Sequence, residues 1–407
     1  MSRSVQQAGA ARPLRVLVFV PFSIYPVSHG GASRITNMLW GLTDLGHEVH
    51  VLSAAANEAE QKAMRSLPRV ASSEANINML LSDDYLPGGP VPAAVRGTYR
   101  PWLSERLAQL IREYSLDLVQ LEYTHAAAYM PAVRDQGVPV VLMEHDIAFA
   151  SVLRQLKLQR PSIRKARAFF DVLRLHHWEL QQAKRADLVL TASEREADVL
   201  RHRGVQRVSG AVPNGVSVAS LEPRGPRREE RDILFVGYFG HPPNADGLEY
   251  FATKIWPFVR EANPSLSVSV VGPRLAPDLL ARVTDLGFRY AGYVEDLAAE
   301  LWSHKVFIVP IRYGAGTRIK VLEAAAAKCA MVSTTLGAEG IALRHERDLL
   351  LADEPEDFAQ AVNTLLVDAD LRARLGSSAH QMMKSHYDWP ILVRNLERLY
   401  YELANQG

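Results

Sequence analysis

Cysteine is almost missing: Cys329 is the single one among 407 residues. A lone cysteine excludes an intramolecular disulfide and a cysteine-rich zinc site, and it fits a reducing cytoplasm. Set in the apolar run AAAAKCAMV, it reads as core. Long hydrophobic runs are lacking too. Nowhere do about 18 consecutive apolar residues occur, so no spanning helix is expected. The polar, Ala-rich start from Met1 to Arg12 does not read as a signal peptide. The expected location is cytoplasmic, soluble or peripheral on the inner face of a membrane. One-sided charge is also absent. With 46 basic against 45 acidic residues, no whole-chain field draws nucleic acid, and any basic function must be local. No repeat of roughly 20 to 50 residues and no low-complexity tract is evident.

What is present is an alternation of strand-length apolar runs with helical patterns, at a length that allows two or three domains of about 150 residues. Leu14 to Phe22 (LRVLVFVPF) reads as a central parallel strand. Gly30 and Gly31 then stand just before an apolar-periodic helix capped near Ser33, and Glu48 opens a second strand. From Asn57 to Arg100 the pattern weakens to loops, with one strand near Ile77 to Leu81. The acidic pair Asp83 and Asp84 falls in that stretch, away from the expected strand ends, so no metal role is assigned to it. Regularity returns with a helix at Leu103 to Tyr114 and strands at Asp117 to Leu121 and Val138 to Met143. The second of these ends in Glu144, His145 and Asp146, at the carboxyl end of a strand, where open parallel sheets bind ligands. A loop histidine capping the strand end is the structural alternative for His145.

Arg154 to Arg185 is strongly basic, with Phe169, Phe170, Leu173 and Trp178 interleaved. Such a segment can lie on an anionic membrane or hold a charged acceptor, or it can be a long solvated helix with one core face. Glu222 to Arg231 has linker composition. The α/β alternation restarts at Ile233 to Gly237 and runs through a helix from about Ala245 to a last amphipathic helix at Ile391 to Leu403, after a break at His386 to Pro390. The expected boundaries are a tail at 1–13, a first domain at 14–220, a second at 221–388 and a C-terminal helix at 389–407.

The richest stretch is Val306 to Ile341, VFIVPIRYGAGTRIKVLEAAAAKCAMVSTTLGAEGI. A buried strand, a loop with Gly314 and Gly316, and a helix from about Arg318 suit anion binding, because a helix start offers unpaired N–H groups and glycines let a phosphate approach. Arg318 and Lys320 add cations, and Glu323 follows Lys320 by one helical turn. Phosphate-binding cations beside a hydroxyl-binding carboxylate suggest a nucleotide or nucleotide sugar. The same features also occur in any doubly wound protein, with Lys320 and Glu323 as a solvated surface pair. GAGTRI lacks the third glycine of the dinucleotide fingerprint, since Ile319 stands in its place, which disfavours a Rossmann dehydrogenase.

Taken in order, HGGASRITNMLWGLTDLGHEVHVLS, EHD, ADLVLTASE, VPNGV, ILFVGYFGHPPNADGLEYF and RYGAGTRIKVLEAAAAKCAMVSTTLGAEGI resemble the retaining glycosyltransferases of family 4 from Leu14 to Leu403. The resemblance implies the GT-B architecture, two doubly wound Rossmann-like α/β domains facing a cleft, with a C-terminal helix crossing back to the first. It implies transfer from a nucleoside diphosphate sugar to a glycan, lipid-linked or small-molecule acceptor, with no cofactor or metal required. By the same resemblance Glu323 meets the donor ribose, Arg318 and Lys320 the diphosphate, Gly30 and Gly31 the phosphates, and His145 the reacting sugar. Gly237, Gly316, Thr317, Gly337 and Glu339 complete the implied donor site.

Two departures stand out. Ala315 occupies the place of the first glutamate in the family's E-x7-E pattern, and YFGHPPNAD lacks the Arg and Lys that often clamp the diphosphate. Arg318 and Lys320 are expected to supply that charge. The competing expectations are a nucleotide-sugar epimerase of the same fold and, because of Ala315, a non-catalytic nucleotide-sugar-binding or scaffold protein.

Overall fold

The computed structural model describes residues 12–405, apart from 28–29, 78–91, 93–94, 96–98, 150–151, 154–155, 157–162, 224, 226–229 and 315–316. The chain forms two compact units: the first holds residues 1–191, 196–211 and 393–407, the second 192–195 and 212–392. The helix Trp389–Ala404 therefore starts in the second unit and ends in the first.

The first unit is built on seven parallel strands: β1 (Arg15–Val20), β2 (Glu48–Ala54), β3 (Ser72–Asn76), β4 (Leu118–Glu122), β5 (Val140–Glu144), β6 (Leu188–Thr191) and β7 (Val208–Ala211). Their order in space is β3-β2-β1-β4-β5-β6-β7. Strand direction reverses its progress across the sheet at β1 and β4, and the register there pairs Val16 with Leu118 and Phe19 with Leu121. The strands are apolar on both sides because helices cover both faces, as parallel sheets require.

The second unit repeats the scheme with β8 (Arg231–Val236), β9 (Val268–Val271), β10 (Arg289–Gly292), β11 (His304–Val309), β12 (Ala330–Ser333) and β13 (Leu350–Leu351), in the spatial order β10-β9-β8-β11-β12-β13. Alternation along β11 shows how both faces are filled. Val306 and Ile308 pack with Phe235, Phe251 and Phe358, whereas Phe307 and Val309 pack with Leu234, Val321 and Leu322. Cys329 is buried among the latter group and donates from Sγ to Leu301 O at 3.3 Å.

Several local expectations are corrected. Gly30 and Gly31 do not precede the first helix; they are its first turn, since it spans Gly30–Asp44. The strand expected at Ile77 to Leu81 is β3, five residues earlier; residues 78–81 and the pair Asp83 and Asp84 lie outside the described residues. SSEAN is polar because β3 is the edge strand, so no apolar run marks it. The stretch read as loops also contains a helix, Glu58–Arg65, whose N-cap Asn57 accepts from Glu60 N while Glu60 Oε2 accepts from Ala56 N. The helix expected from Ala245 starts at Pro242 with a proline in its first turn. The expected break near His386 is a π-turn, Met383–Tyr387, followed at once by the last helix. Among the described residues no helix is long and apolar enough to cross a membrane.

Candidate functional site

In the second unit the strand order reverses between β8 and β11, so the crevice outside their carboxyl ends is where such a sheet places a ligand. Gly237 directly follows β8 and donates its N–H to Val271 O at 2.9 Å. A Cβ on Gly237 would stand 3.1 Å from Asn244 Cβ and 3.3 Å from Lys320 Nζ, so the glycine leaves the room that the ammonium fills. Lys320 lies in the first turn of the helix Ile319–Ala326. Its Nζ donates to Asn244 Oδ1 at 2.8 Å and sits 4.9 Å from the centroid of the Phe235 ring. Asn244 Nδ2 donates to Tyr238 O at 2.8 Å, which fixes the end of the amide that faces the lysine.

The electrostatics follow from this crowding. Burial pushes the Lys320 ammonium down to about 7, the neighbouring Arg318 cation pushes the same way, and Glu323 opposes both. Glu323 is held above the usual carboxylate range by burial, against the pull of Lys320. Its carboxylate accepts no hydrogen bond from the described residues, so it presents open acceptors. Arg318, at the N-cap of the same helix, is buried, and a Cβ on Gly314, whose φ is +122°, would lie 3.2 Å from its Nη2. His241 is lowered by burial and by the charges of Arg318 and Lys320. Two cations thus converge on the loop that itself lacks Arg and Lys and carries His241.

The remaining residues named for this site separate into near and far. Thr317 Oγ1 lies 3.6 Å from where a Cβ on Gly340 would be. Gly337 is a packing position: its N–H donates to Thr334 Oγ1 at 2.9 Å, and a Cβ would come within 2.7 Å of Val309 O. Glu339 is ion-paired with Arg195. Ala315 and Gly316 lie outside the described residues.

In the first unit His145 follows β5, and its Nε2 is 2.5 Å from Glu122 Oε2 at the end of β4. Its ring stacks on Tyr123 with centroids 3.9 Å apart and planes within 8°. Burial lowers the His145 imidazole, Glu122 raises it by hydrogen bond and charge, and the Arg34 cation lowers it further. Arg34 is itself buried and pushed down to about 10 by desolvation, with Glu122 opposing. Below this lies a second acidic group. Thr124 Oγ1 is 2.5 Å from Glu144 Oε2 and 3.0 Å from Glu179 Oε1, and Glu179 also accepts from Ala148 N and Phe149 N. Burial beside Glu179 keeps the Glu144 carboxyl well above its ordinary range, and burial raises Glu179 to about 6.

Residues 28–220 match the family described as Glycosyltransferase Family 4, and residues 230–368 match the one described as Glycosyl transferases group 1. The chain is a family-4 glycosyltransferase. Over 383 residues this glycosyltransferase is 21% identical to an uncharacterized 44.6 kDa protein in the cps region of Klebsiella pneumoniae, covering 89% of this chain and 94% of that one. Its fold is that of Anabaena HepE solved in complex with UDP (TM-score 0.68, 14% identity, 96% of this chain and 100% of that). Sucrose-phosphate synthase from Thermosynechococcus elongatus is similar as well (TM-score 0.66, 17% identity, 97% and 100%). The glycosyltransferase, with its two parallel-sheet α/β units, therefore has the GT-B fold.

Sequence reading of the glycosyltransferase names Lys320 and Glu323 together, and one helix, Ile319–Ala326, does carry both at a three-residue spacing. It missed Asn244 and Glu122, whose partners lie 76 and 23 positions away in the chain. The sequence signal for Glu122 is its place at the last residue of a strand, and that for Asn244 its place in the first turn of the helix after β8, both at the ligand side of a sheet.

Proposed function

We propose that this glycosyltransferase moves a sugar from a nucleoside diphosphate sugar to a glycan, lipid-linked or small-molecule acceptor with retention at the anomeric carbon. The observation that carries the donor is the Lys320, Asn244 and Glu323 group at the end of β8: a half-buried cation held by an amide beside a carboxylate with open acceptors. Lys320 and Arg318 suit the diphosphate and Glu323 the ribose hydroxyls. Gly237 and Thr317 border them, and Gly30 and Gly31, in the first turn of a 15-residue helix, offer backbone N–H groups to the phosphates. The HepE fold, solved with UDP, makes UDP the first nucleotide to try. In the reaction the bond from the anomeric carbon to the diphosphate oxygen breaks and a bond to the acceptor oxygen forms. The acceptor's proton passes to the departing phosphate on the same face, so no side chain need be a strong base. The developing charge is what Lys320 and Arg318 stabilise.

A thermal-shift screen of nucleoside diphosphates and their sugars tests the donor, because a ligand that binds only the folded chain raises its melting temperature. UDP or a UDP-sugar should raise it; no shift with any nucleotide sugar removes the reading. Glu323→Ala should weaken that binding by about tenfold to a hundredfold, the loss expected when a charged acceptor is removed from two hydroxyls. Incubating donor alone and finding isomerised sugar would favour an epimerase instead, and the anomeric proton signal of the first transfer product reports retention.

The same proposal includes peripheral contact with an anionic membrane through 154–185. On the helix Ile163–Arg185, Phe169, Phe170 and Leu173 are exposed, Phe170 to 66%, and Arg174 is exposed beside them. Apolar side chains in a basic surface fit the headgroup region of such a bilayer. Vesicles with anionic lipid should co-sediment the chain at low salt. Phe170→Ser with Leu173→Ser should abolish this while leaving UDP binding unchanged, and equal sedimentation of the variant would sink the idea.

A further inference from the structure

Three buried side chains in the first unit form one hydrogen-bonded line that ends at the half-buried His145. Tyr400 Oη is 2.5 Å from Gln120 Oε1, Gln120 Nε2 is 2.5 Å from Glu122 Oε1, and Glu122 Oε2 is 2.5 Å from His145 Nε2. Tyr400 comes from the C-terminal helix, Gln120 and Glu122 from β4, and His145 from the loop after β5. Tyr400, Gln120 and Glu122 are each 2% exposed or less. No sequence pattern names the first three.

The carboxylate sets the direction of every bond in the line. It can only accept, so Gln120 must turn its NH2 toward Glu122 and its oxygen toward Tyr400, whose hydroxyl then donates. By the same logic the ring nitrogen facing Glu122 must carry the hydrogen. The other nitrogen, Nδ1, is then bare, and no described residue bonds to it. A second observation points to the same place. Tyr123, between Glu122 and Thr124, has φ +70° and ψ 149°, a conformation that side chains rarely adopt, and it is held there by Tyr123 N donating to Met143 O at 2.9 Å. That turn lays the Tyr123 ring flat on the His145 imidazole, and Phe22 stands edge-on to the same Tyr123 ring with centroids 5.2 Å apart. Strained backbone that is held by its surroundings clusters at functional sites.

We infer that Glu122 is a positioning residue for His145, fixing the Nε2–H tautomer so that Nδ1 accepts a hydrogen bond from a hydroxyl of the transferred sugar, with Gln120 and Tyr400 securing Glu122. This rests on the reading of His145 as a sugar contact. The C-terminal helix thereby reaches the site chemically, through Tyr400, as well as by packing.

The test is a long-range proton–nitrogen correlation spectrum of the full chain with labelled histidine, His145 being assigned by its loss in His145→Gln. The wild type should show hydrogen on Nε2 and none on Nδ1 at pH 8. Glu122→Gln, which keeps size and can donate as well as accept, should give a mixture of tautomers and lower kcat by about tenfold to a hundredfold, as expected for a lost charged hydrogen bond. UDP affinity should stay within about twofold, because the residues proposed to hold the nucleotide most closely belong to the second unit. Tyr400→Phe, a milder change that keeps the ring, should move tautomer and kcat the same way by less. Hydrogen on Nδ1 in the wild type, or an unchanged tautomer in Glu122→Gln, overturns the inference. Unchanged kcat in His145→Ala overturns the sugar contact alone, and absent UDP binding to the wild type overturns the donor reading instead.

Discussion

Lys320→Met should lower kcat by about a hundredfold to a thousandfold, the size of loss seen when one preorganised partner of a developing negative charge is removed. It should do so while the fold survives and even gains. Methionine keeps an unbranched side chain of similar length beside Phe235, and it removes an ammonium that burial and Arg318 disfavour. The sign of the pH effect follows from the same values. The folded ammonium loses its proton near 7 and the unfolded one near 10.5, so the cost of burying the charge is fully present below about 7 and is relieved as pH rises from about 7 to 10.5. Below pH 7 the variant should therefore melt at or above the wild-type temperature. Donor binding runs the other way. If the diphosphate binds the protonated lysine as proposed, wild-type affinity for UDP should fall above pH 7 by roughly tenfold per pH unit until the pKa of the complex is reached. Lys320→Arg, charged throughout, should flatten that fall. Calorimetric titration of UDP between pH 6 and 9 measures both, and a wild-type affinity that is level across the range refutes the role.

The group proposed to hold the donor could be singled out in the sequence because its residues are local to one another. Lys320 and Glu323 share a helix, and the apolar runs of β8, β11 and β12 placed that helix at the end of a buried strand. Arg318 was found for the same reason. What stayed hidden is what holds these groups. Asn244 meets Lys320 only because the first turn of one helix faces the first turn of another, and Glu122 meets His145 only because β4 and β5 are neighbours in register, with Glu122 opposite Met143. Pairings between strands are set by topology, which spacing does not encode. The fold shows the same division. Buried strands announced themselves, whereas the polar edge strand β3 and the four-residue β7 carry too little apolar pattern to be seen. The helix Glu58–Arg65 was different: Asn57 and Glu60 spelled out its start, and only its weakly apolar sequence masked it.

Gly272→Ala should be the most destabilising small change in the second unit, by about 3 kcal/mol or more. Gly272 follows β9 with φ +132°, and a Cβ there would fall 1.8 Å from Gly237 O and 2.7 Å from Gly237 C. Those are backbone atoms, so no side chain can swing aside. Nor can the strand ends separate freely. Gly272 N donates to Gly292 O at 2.7 Å, Tyr290 Oη donates to Gly272 O at 2.9 Å, and Gly237 N donates to Val271 O at 2.9 Å, which ties β8, β9 and β10 together at their carboxyl ends. Gly287→Ala separates the two contributions to this cost. It also has a positive φ, +83°, but nothing within 4 Å of its added Cβ, so it should lose only the backbone preference, about 1 kcal/mol. In melting temperature these losses correspond to roughly 6–12 °C for Gly272→Ala and 2–4 °C for Gly287→Ala in a unit of this size. Because relief of the clash must push Gly237 toward Asn244 and Lys320, Gly272→Ala should also lose UDP affinity at temperatures where it is still folded, whereas Gly287→Ala should keep it. Hydrogen exchange should rise first at the ends of β8 and β9. If the two variants melt alike and bind UDP alike, the contact between Gly237 and Gly272 is not what shapes the end of β8.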